Sequence, residues 1–324
     1  MENENMVFEG DNNSQPEVKV PKFLTRKTKR LIFYTSIISI FIIETLIWYV
    51  YVNASTFVLA FQEYEATISG NIAHFVGLKN FETIITLFKD PNNFDMIQTS
   101  LLMYAFHLCV GTALALFLSY YVYKKMLFGG FFRVILFLPS IMSSVVMVTL
   151  YKYMVNDCYM EAFNQPTGLL KGDHMTSVIM VIVYNLWMGY GTDVLMYTGA
   201  MGGINPSVVE ASELDGCNAL QEFIYVTIPC IFPTFITFIV AGLAHIFTNN
   251  MSLYTFYAGT SDVRSVGYYM YCQNKSSPGL VKREFYDFLT YPELSALSLM
   301  ITLITCPIVL TIRFLLNKYG PSAR

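Results

Sequence analysis

The chain has 324 residues, of which 54% are hydrophobic and only 13% are charged, and its formal net charge at pH 7 is −3. Soluble domains carry about 25% charged residues, so this composition excludes a soluble globular protein and predicts a membrane protein. The slightly acidic balance also excludes a polybasic nucleic-acid binder, and we expect no nucleic-acid partner.

The first 30 residues are expected to form a disordered tail. Residues 1–18 are polar and acidic, with neither a basic n-region nor a cleavage site, which argues against a signal peptide. A segment with so few apolar residues cannot bury enough surface to fold by itself.

Six apolar segments are long enough to cross a bilayer as helices, which takes about 20 residues each. They lie at 31–52, 98–123, 134–155, 177–201, 231–254 and 294–312. The third is the least regular, because Pro139 lies near its start and Lys152 near its end. We place Pro139 in the first turns, where its missing N–H costs little. The sequence therefore predicts an all-α membrane protein with a transmembrane domain at 31–316 and a short tail at 317–324.

Basic residues mark one side of the membrane. The N-terminal tail holds six, the segment between the second and third spans three, and the C-terminal end three, so this side has twelve of the twenty Lys and Arg residues. Of the remaining eight, seven are spread over the longer loops 53–97, 156–176 and 255–293, and the eighth is Lys152 near the end of the third span. Because basic residues close to span ends favour the cytoplasmic side, we expect both termini, and by parity the loop between the fourth and fifth spans, to be cytoplasmic.

That loop has the punctuation of a defined helix, although it contains acids and no basic residue. Asn205 is a suitable N-cap, Pro206 suits the first helical position, and Gly216 suits the position after a helix end. These signals predict a helix at 207–215. A second short helix is expected at 218–227, interrupted by a proline before the fifth span. An amphipathic helix lying on the membrane surface is an alternative interpretation.

The run "EASELDG" followed by "VTIP" resembles the EAA signature of the inner-membrane permeases of ABC importers. Glu210, Ala211, Gly216 and Pro229 match that signature in type and spacing, whereas Ser212 replaces its second alanine. All of these residues lie between the fourth and fifth predicted spans.

The wider stretch resembles the sugar-permease branch of this family, of the maltose and oligosaccharide type. Asp215 and Phe223 fit the extended form of the motif, and Cys217 stands where alanine is usual. The stretches at 75–94 and 131–156 are also similar to the family's outer segment and third span. The resemblance implies a type I ABC importer permease fold in a bacterial plasma (inner) membrane.

The resemblance also implies partners. The 207–215 helix would be a coupling helix that docks on a cytoplasmic ATPase subunit, with Glu210 and Asp215 making polar contacts and Gly216 providing the turn. The implied coupling residues are Glu210, Ala211, Ser212, Asp215, Gly216 and Pro229. Two ATPase subunits, a second permease chain, an extracytoplasmic solute-binding protein and a sugar would complete the system. The chain has no GxxxxGK[ST] run to hold ATP phosphates, so it is not expected to be an enzyme.

Polar residues inside the spans are candidates for a substrate pathway. Sugars are bound by aromatic faces that stack on the ring and by amides and carboxylates that hold hydroxyls. The candidates offer these groups on the fourth span and at the end of the fifth: Asn185, Trp187, Tyr190, Asp193, His245, Asn249 and Asn250. Alternatively, these groups satisfy one another between helices, as polar residues in membrane bundles often do.

The sequence leaves the cargo and the sister subunit open. The same family could import glycerol phosphate, a polyol or another solute, and a membrane anchor or sensor without transport is a third hypothesis. No HExxH or GxSxG motif is present, and no histidine or cysteine spacing suggests a metal or cofactor. A disulfide between Cys158 and Cys272 remains open, because nothing in the sequence gives their separation.

Overall fold

The computed structural model describes residues 26–67, 70–259, 263–277, 279 and 288–321. Most of the predicted tail, 1–25, and residues 322–324 lie outside these ranges. The described part is mainly helical, which confirms the predicted class. Its helices are α1 Lys27–Leu59, α2 Lys79–Lys89, α3 Asn93–Tyr123, α4 Gly129–Ile141, α5 Ser144–Phe163, α6 His174–Gly202, α7 Pro206–Leu214, α8 Ala219–Ala244, α9 Leu253–Tyr257, α10 Val266–Ser276 and α11 Tyr291–Tyr319.

The chain divides into two compact units, Met1–Ser55 and Thr56–Arg324. Most of α1 belongs to the first unit, and the side chains in its apolar window are not buried. Helix α1 begins before the predicted start of the first span, so the last residues of the predicted tail are helical. The second unit contains all the remaining elements.

Five of the described helices are long and apolar enough to cross a membrane, and the bent pair α4 and α5 makes a sixth candidate span. The 102° bend between them divides the predicted third span. Pro139 lies in the last turn of α4 rather than in the first turns of a span. Its missing N–H and the extended backbone of Met142 end the helix there, and α5 begins directly after Ser143.

The fifth span is also displaced from its prediction. Helix α8 starts at Ala219 and runs through Pro229 without a break, so the predicted interruption at Pro229 is wrong. A π-helical turn at Phe223–Thr227 directly precedes the proline, and such a wider turn accommodates the missing hydrogen bond. The helix ends at Ala244, and residues 245–252 form turns instead of the predicted helix end.

The structure contains a short β-hairpin that the all-helical prediction does not include. Strands β1, Gln62–Thr67, and β2, Gly70–Phe75, pair antiparallel. The Asn80 amide at the start of α2 donates to the Ala60 and Gln62 carbonyls at 2.9 Å each, which joins α2 to the hairpin. Hairpins of this size need such packing to be stable.

Three apolar clusters hold the second unit together. One joins α5, α6 and α9 around Tyr151, Tyr184 and Phe256. A second joins α2, α10 and α11, and a third joins α3, α6 and α8. Gly191 allows α4 to approach α6, since an added methyl group there would lie 2.5 Å from the Leu136 carbonyl oxygen. Helix α6 therefore takes part in two of the three clusters and also contacts α4.

Candidate functional site

Helix α7, in the segment that connects α6 to α8, is closed at both ends as its residue pattern predicts. At its start, Asn205 Oδ1 accepts a hydrogen bond from the Ser207 N–H at 3.1 Å, and proline occupies the first turn. At its end, the Cys217 N–H donates to the Ser212 carbonyl at 3.0 Å and the Gly216 N–H to the Glu213 carbonyl at 3.1 Å. This pair of bonds is a Schellman motif. Gly216 has φ +79°, a conformation that glycine adopts without strain.

The outer face of α7 is unusually open for a helix that carries apolar residues. Leu214 is 89% exposed, and Glu210, Ala211 and Asp215 are exposed as well. Only Ser212 turns inward, where its hydroxyl donates to the Val209 carbonyl at 2.7 Å. A capped helix with an exposed leucine and two exposed acids is suited to contact another protein.

An ion-pair cluster ties this segment to the end of α3. Lys124 Nζ lies 2.7 Å from Glu222 Oε1 and 3.4 Å from Glu213 Oε1. The Glu222 side chain is only 4% exposed, whereas that of Glu213 is 60% exposed. Burial would lower the pKa of the Lys124 ammonium, but its contact with the Glu222 carboxylate outweighs burial and raises that pKa above its ordinary value. Lys124 thus neutralises a buried charge and also reaches the α7 segment.

Aromatic packing supports the same junction. The Tyr120 hydroxyl donates to the Ala219 carbonyl at 3.0 Å, where α8 begins. The ring of Phe223 lies 4.9 Å from that of Tyr120 and 5.1 Å from that of Phe117. These contacts fasten the end of α3 to the start of α8, which follows α7 in the chain.

The coupling residues predicted from the motif divide into two groups in the structure. Glu210, Ala211 and Asp215 lie on the exposed surface of α7 or at its end, with Gly216 directly behind them. Pro229 is ten residues inside α8 and away from that surface. Pro229 follows the π-helical turn at Phe223–Thr227.

Lys124, Glu222 and Leu214 were not among the predicted site residues. In the sequence, Lys124 indicates only the orientation of the membrane spans, and Glu222 is one of the acids between the fourth and fifth predicted spans. Burial of Glu222 in the first turn of α8 depends on α3 and α8 lying together, which no local pattern reveals. The sequence signal that could have identified Leu214 as a contact residue is an apolar side chain within an otherwise polar loop helix.

Among the predicted pathway residues, Asn185 joins two elements. Its Nδ2 donates to the Val181 carbonyl at 2.8 Å and, across the bundle, to the Met251 carbonyl at 2.9 Å. It lines a cavity of about 20 Å³ together with His107, which is enough for about one water molecule. Asn185 thus holds the 245–252 turn against α6.

Asp193 lies two helical turns further along α6 and faces a histidine of α3. A Cβ on Gly189 would lie 3.9 Å from Asp193 Oδ2 and 4.0 Å from His107 Cε1, so both groups border the same glycine. Asp193 is half-buried. The structure therefore places an acid of α6 and an imidazole of α3 next to the same glycine, a proximity that the sequence did not predict.

The two aromatic candidates are packing residues in this structure. Trp187 packs on the α5–α6–α9 cluster, with its ring 6.4 Å from that of Tyr151. Tyr190 contacts both that cluster and the α3–α6–α8 cluster. Their side chains are half-buried among other side chains, and their place in a substrate pathway stays a prediction.

The remaining candidates shape the turn after α8. Asn249 Oδ1 accepts from the Met251 N–H at 2.9 Å, and Asn250 Oδ1 accepts from the Ser252 N–H at 3.0 Å. Met251 and Ser252 both have positive φ, and such Asx turns stabilise this backbone. His245 Nδ1 lies 3.3 Å from the Thr248 hydroxyl. The predicted residues are thus divided between α6 and this turn, which meet through Asn185.

The cysteines Cys158 and Cys272 are free thiols in the structure. Burial raises the pKa of the Cys272 thiol, although Tyr268 and Arg264 act in the opposite direction.

Curated proteins similar to this chain include permease proteins of saccharide transport systems. The chain is 22% identical over 202 residues to the arabinooligosaccharides transport system permease protein AraP of Bacillus subtilis, covering 60% of this chain and 62% of AraP. It is 24% identical over 190 residues to the polygalacturonan/rhamnogalacturonan transport system permease protein YteP of the same organism, covering 56% of this chain and 58% of YteP. The match thus spans less than two thirds of either relative.

A bacterial ABC transporter involved in the import of the acidic polysaccharide alginate contains a chain of the same fold. It superposes with a TM-score of 0.71 at 20% identity, covering 91% of this chain and 98% of that one. The expected ABC importer permease fold is therefore confirmed.

Residues 108–324, about two thirds of the chain, match the family described as binding-protein-dependent transport system inner membrane component. This region includes α4 to α11 and the whole coupling motif. The chain belongs to this family of inner-membrane transport components.

Proposed function

We propose that this chain is the membrane-spanning permease subunit of an ATP-driven importer that takes up a sugar or oligosaccharide. The observation that carries the proposal is α7, a helix capped at both ends that presents Leu214, Glu210 and Asp215 outward from the segment between two spans. The saccharide cargo is supported by the similarity to AraP and YteP, which are named as permeases for saccharides.

The partners follow from what the chain lacks and what it exposes. It has no GxxxxGK[ST] run, so ATP hydrolysis belongs to a separate ATPase subunit that receives α7. Two such ATPase subunits, a second permease chain and a solute-binding protein outside the membrane complete the importer. A neighbour of the same fold was solved in complex with an alginate pentasaccharide-bound periplasmic protein, which supports the last of these partners.

The basic residues support an orientation with both termini in the cytoplasm. Lys124 and Lys125 lie at the end of α3 near the α7 segment, and Arg313 and Lys318 lie in the last turns of α11. In this orientation, α7 faces the cytoplasm, where ATP is available. Its acids then face a protein partner, which removes the apparent conflict with the positive-inside rule.

The coupling step uses the junction at Lys124. ATP-driven closure of the ATPase pair displaces α7, and Lys124 together with Tyr120 passes that displacement to the ends of α3 and α8. Gly216 and the Schellman motif keep α7 a defined body during this movement.

The charge-reversed variant Glu210→Lys tests the docking role. We expect it to lower copurification of the ATPase with the permease at least about tenfold, because a buried interface rejects a misplaced charge. Leu214→Asp is a second variant, and its native side chain is too exposed to support folding. Glu161→Lys, an exposed glutamate at the far end of α5, is the matched control and should retain the ATPase.

If Glu210→Lys and Leu214→Asp both assemble normally and support normal uptake, α7 is not the docking element. A chain that binds no ATPase at all would instead favour the anchor or sensor hypothesis. Uptake of labelled glycerol phosphate or a polyol, with no saccharide uptake, would keep the family and change the cargo.

A further inference from the structure

A cleft of about 440 Å³ opens at the end of the second unit opposite α7. The two ends are separated by α8, whose 26 residues span about 39 Å. The cleft lies between the 245–252 turn, α10 and the first turns of α11. Its volume is within the range of about 300–1,000 Å³ that is usual for small-molecule sites.

The side chains that line this cleft combine aromatic rings with uncharged hydrogen-bonding groups. The polar and aromatic lining residues include Thr248, Asn250, Tyr271, Asn274, Tyr291 and Ser295. Tyr271 and Tyr291 are 38% and 41% exposed, so each has ring surface free for a ligand. No Asp, Glu, Lys or Arg is among the described lining residues.

The walls of the cleft are held in place by interactions outside it. The Tyr271 ring packs edge-on against Tyr254, with centroids 4.7 Å apart. A capping box at the start of α11 fixes the neighbour of Tyr291: the Thr290 N–H and hydroxyl donate to Glu293 Oε2 at 2.7 and 2.9 Å. The buried Glu293 carboxylate is therefore engaged in the cap.

We infer that this cleft receives a neutral saccharide and selects against uronic acids. Tyrosine faces stack on sugar rings, and amide and hydroxyl groups bond sugar hydroxyls without requiring a charge on the ligand. A uronate carboxylate placed here would lose its hydration without gaining a cation from the described part of the lining, which is costly. Lys275 Nζ lies over the Tyr271 ring at 5.8 Å but does not line the cleft.

The inference rests on the proposed function and narrows its cargo. The relatives do not decide this point, because AraP is named for arabinooligosaccharides and YteP for polygalacturonan and rhamnogalacturonan, which contain acidic sugars. The uncharged side chains of the described cleft lining favour neutral saccharides over acidic ones.

The test uses the complete importer in proteoliposomes with its solute-binding protein. The labelled probes are neutral maltotriose, arabinotriose and lactose, and acidic trigalacturonate and an alginate trisaccharide. We expect uptake of a neutral probe only. Tyr271→Ala and Asn274→Ala should each raise the KM for that probe about three- to tenfold, the usual effect of losing one ring contact or hydrogen bond. Ser295→Ala removes only a hydroxyl from the cleft lining. It therefore tests the cleft even if the larger truncation Tyr271→Ala or Asn274→Ala prevents folding.

Gln165→Ala is the matched control for Asn274→Ala, since it removes an exposed amide at the same end of the unit but outside the cleft. Uptake of a neutral probe with unchanged KM in all three variants would overturn the cleft assignment and leave sugar import standing. Preferential uptake of an acidic probe, especially if Lys275→Gln abolished it, would overturn the selection against uronates. A wild-type importer that took up no saccharide probe would overturn both the inference and the proposed function.

Discussion

The two ends of the second unit are built on opposite plans. At one end, a nine-residue helix is capped, projects a leucine outward and encloses no space of its own. At the other, the 245–252 turn, α10 and the first turns of α11 surround a cleft of about 440 Å³. The first plan suits a protein partner that applies force, and the second suits a small polar ligand.

The interactions that stabilise each end differ accordingly. The α7 end depends on a buried charge pair and on backbone caps, which resist being pulled apart. The cleft end depends on Asx turns and on the capping box of Thr290 and Glu293, which lie outside the cleft and leave its lining groups free. Variants at the α7 end should therefore change assembly and coupling without changing solute KM, whereas variants in the cleft should do the reverse.

Removal of the buried cation should have the largest effect at the α7 end. In Lys124→Met, the carboxylate of Glu222 stays buried without its partner. Breaking a buried pair costs about 3–5 kcal/mol, and because Lys124 is partly exposed we expect a loss of about 2–3 kcal/mol in unfolding free energy. Chemical unfolding in detergent micelles measures this loss, and uptake assays should show impaired coupling at unchanged KM.

Two companion variants identify the source of that loss. Glu213→Gln removes the exposed partner only and should cost less than about 1 kcal/mol. The double variant Lys124→Met/Glu222→Leu removes both buried charges and should recover most of the stability. A double variant as unstable as Lys124→Met would mean that lost packing, not the unpaired charge, explains the effect.

A smaller effect is expected from a methyl group at the end of α7. A Cβ at Gly216 meets no atom within 4 Å, so Gly216→Ala changes backbone strain alone at φ +79°. We expect a loss of about 1–2 kcal/mol and weaker ATPase copurification. Gly202→Ala is the matched control, because a Cβ there also meets nothing but the backbone has no positive φ. Equal stability of the two variants would contradict the role of Gly216 in the turn.

Local sequence signals predicted both ends of α7, but they did not predict the cleft. Asn205, Pro206 and Gly216 act through their own backbone neighbours, so their residue types were sufficient to place both ends of the helix. The hydrophobic runs likewise predicted helical spans, because length and apolarity are local properties. The motif then identified the surface residues of α7 by resemblance alone.

Features that depend on contacts between distant elements could not be predicted. The predicted fifth span, 231–254, extends past the end of α8 because Ile246 and Leu253 are apolar. In the structure both are buried, Ile246 in the turn after α8 and Leu253 at the start of α9. The pairing of Lys124 with Glu222 and the lining of the cleft both require helices that are far apart in sequence. The sequence places Pro139 near the start of an unbroken third span, whereas in the structure Pro139 lies in the last turn of α4, just before the 102° bend.

The smallest expected effect concerns pH, and its sign follows from the environment of Lys124. Contact with Glu222 raises the pKa of this lysine in the folded chain despite partial burial. Its contribution to stability is therefore fully present below the unfolded lysine pKa of about 10.4 and is lost only as pH rises through the higher folded value. The stability difference between wild type and Lys124→Met should thus be constant from about pH 7 to 9, as measured by thermal unfolding in micelles. A difference that grew as pH rose through this interval would mean that burial dominates and lowers the pKa of Lys124, in which case Lys124 could not serve as the permanent link at the α7 end.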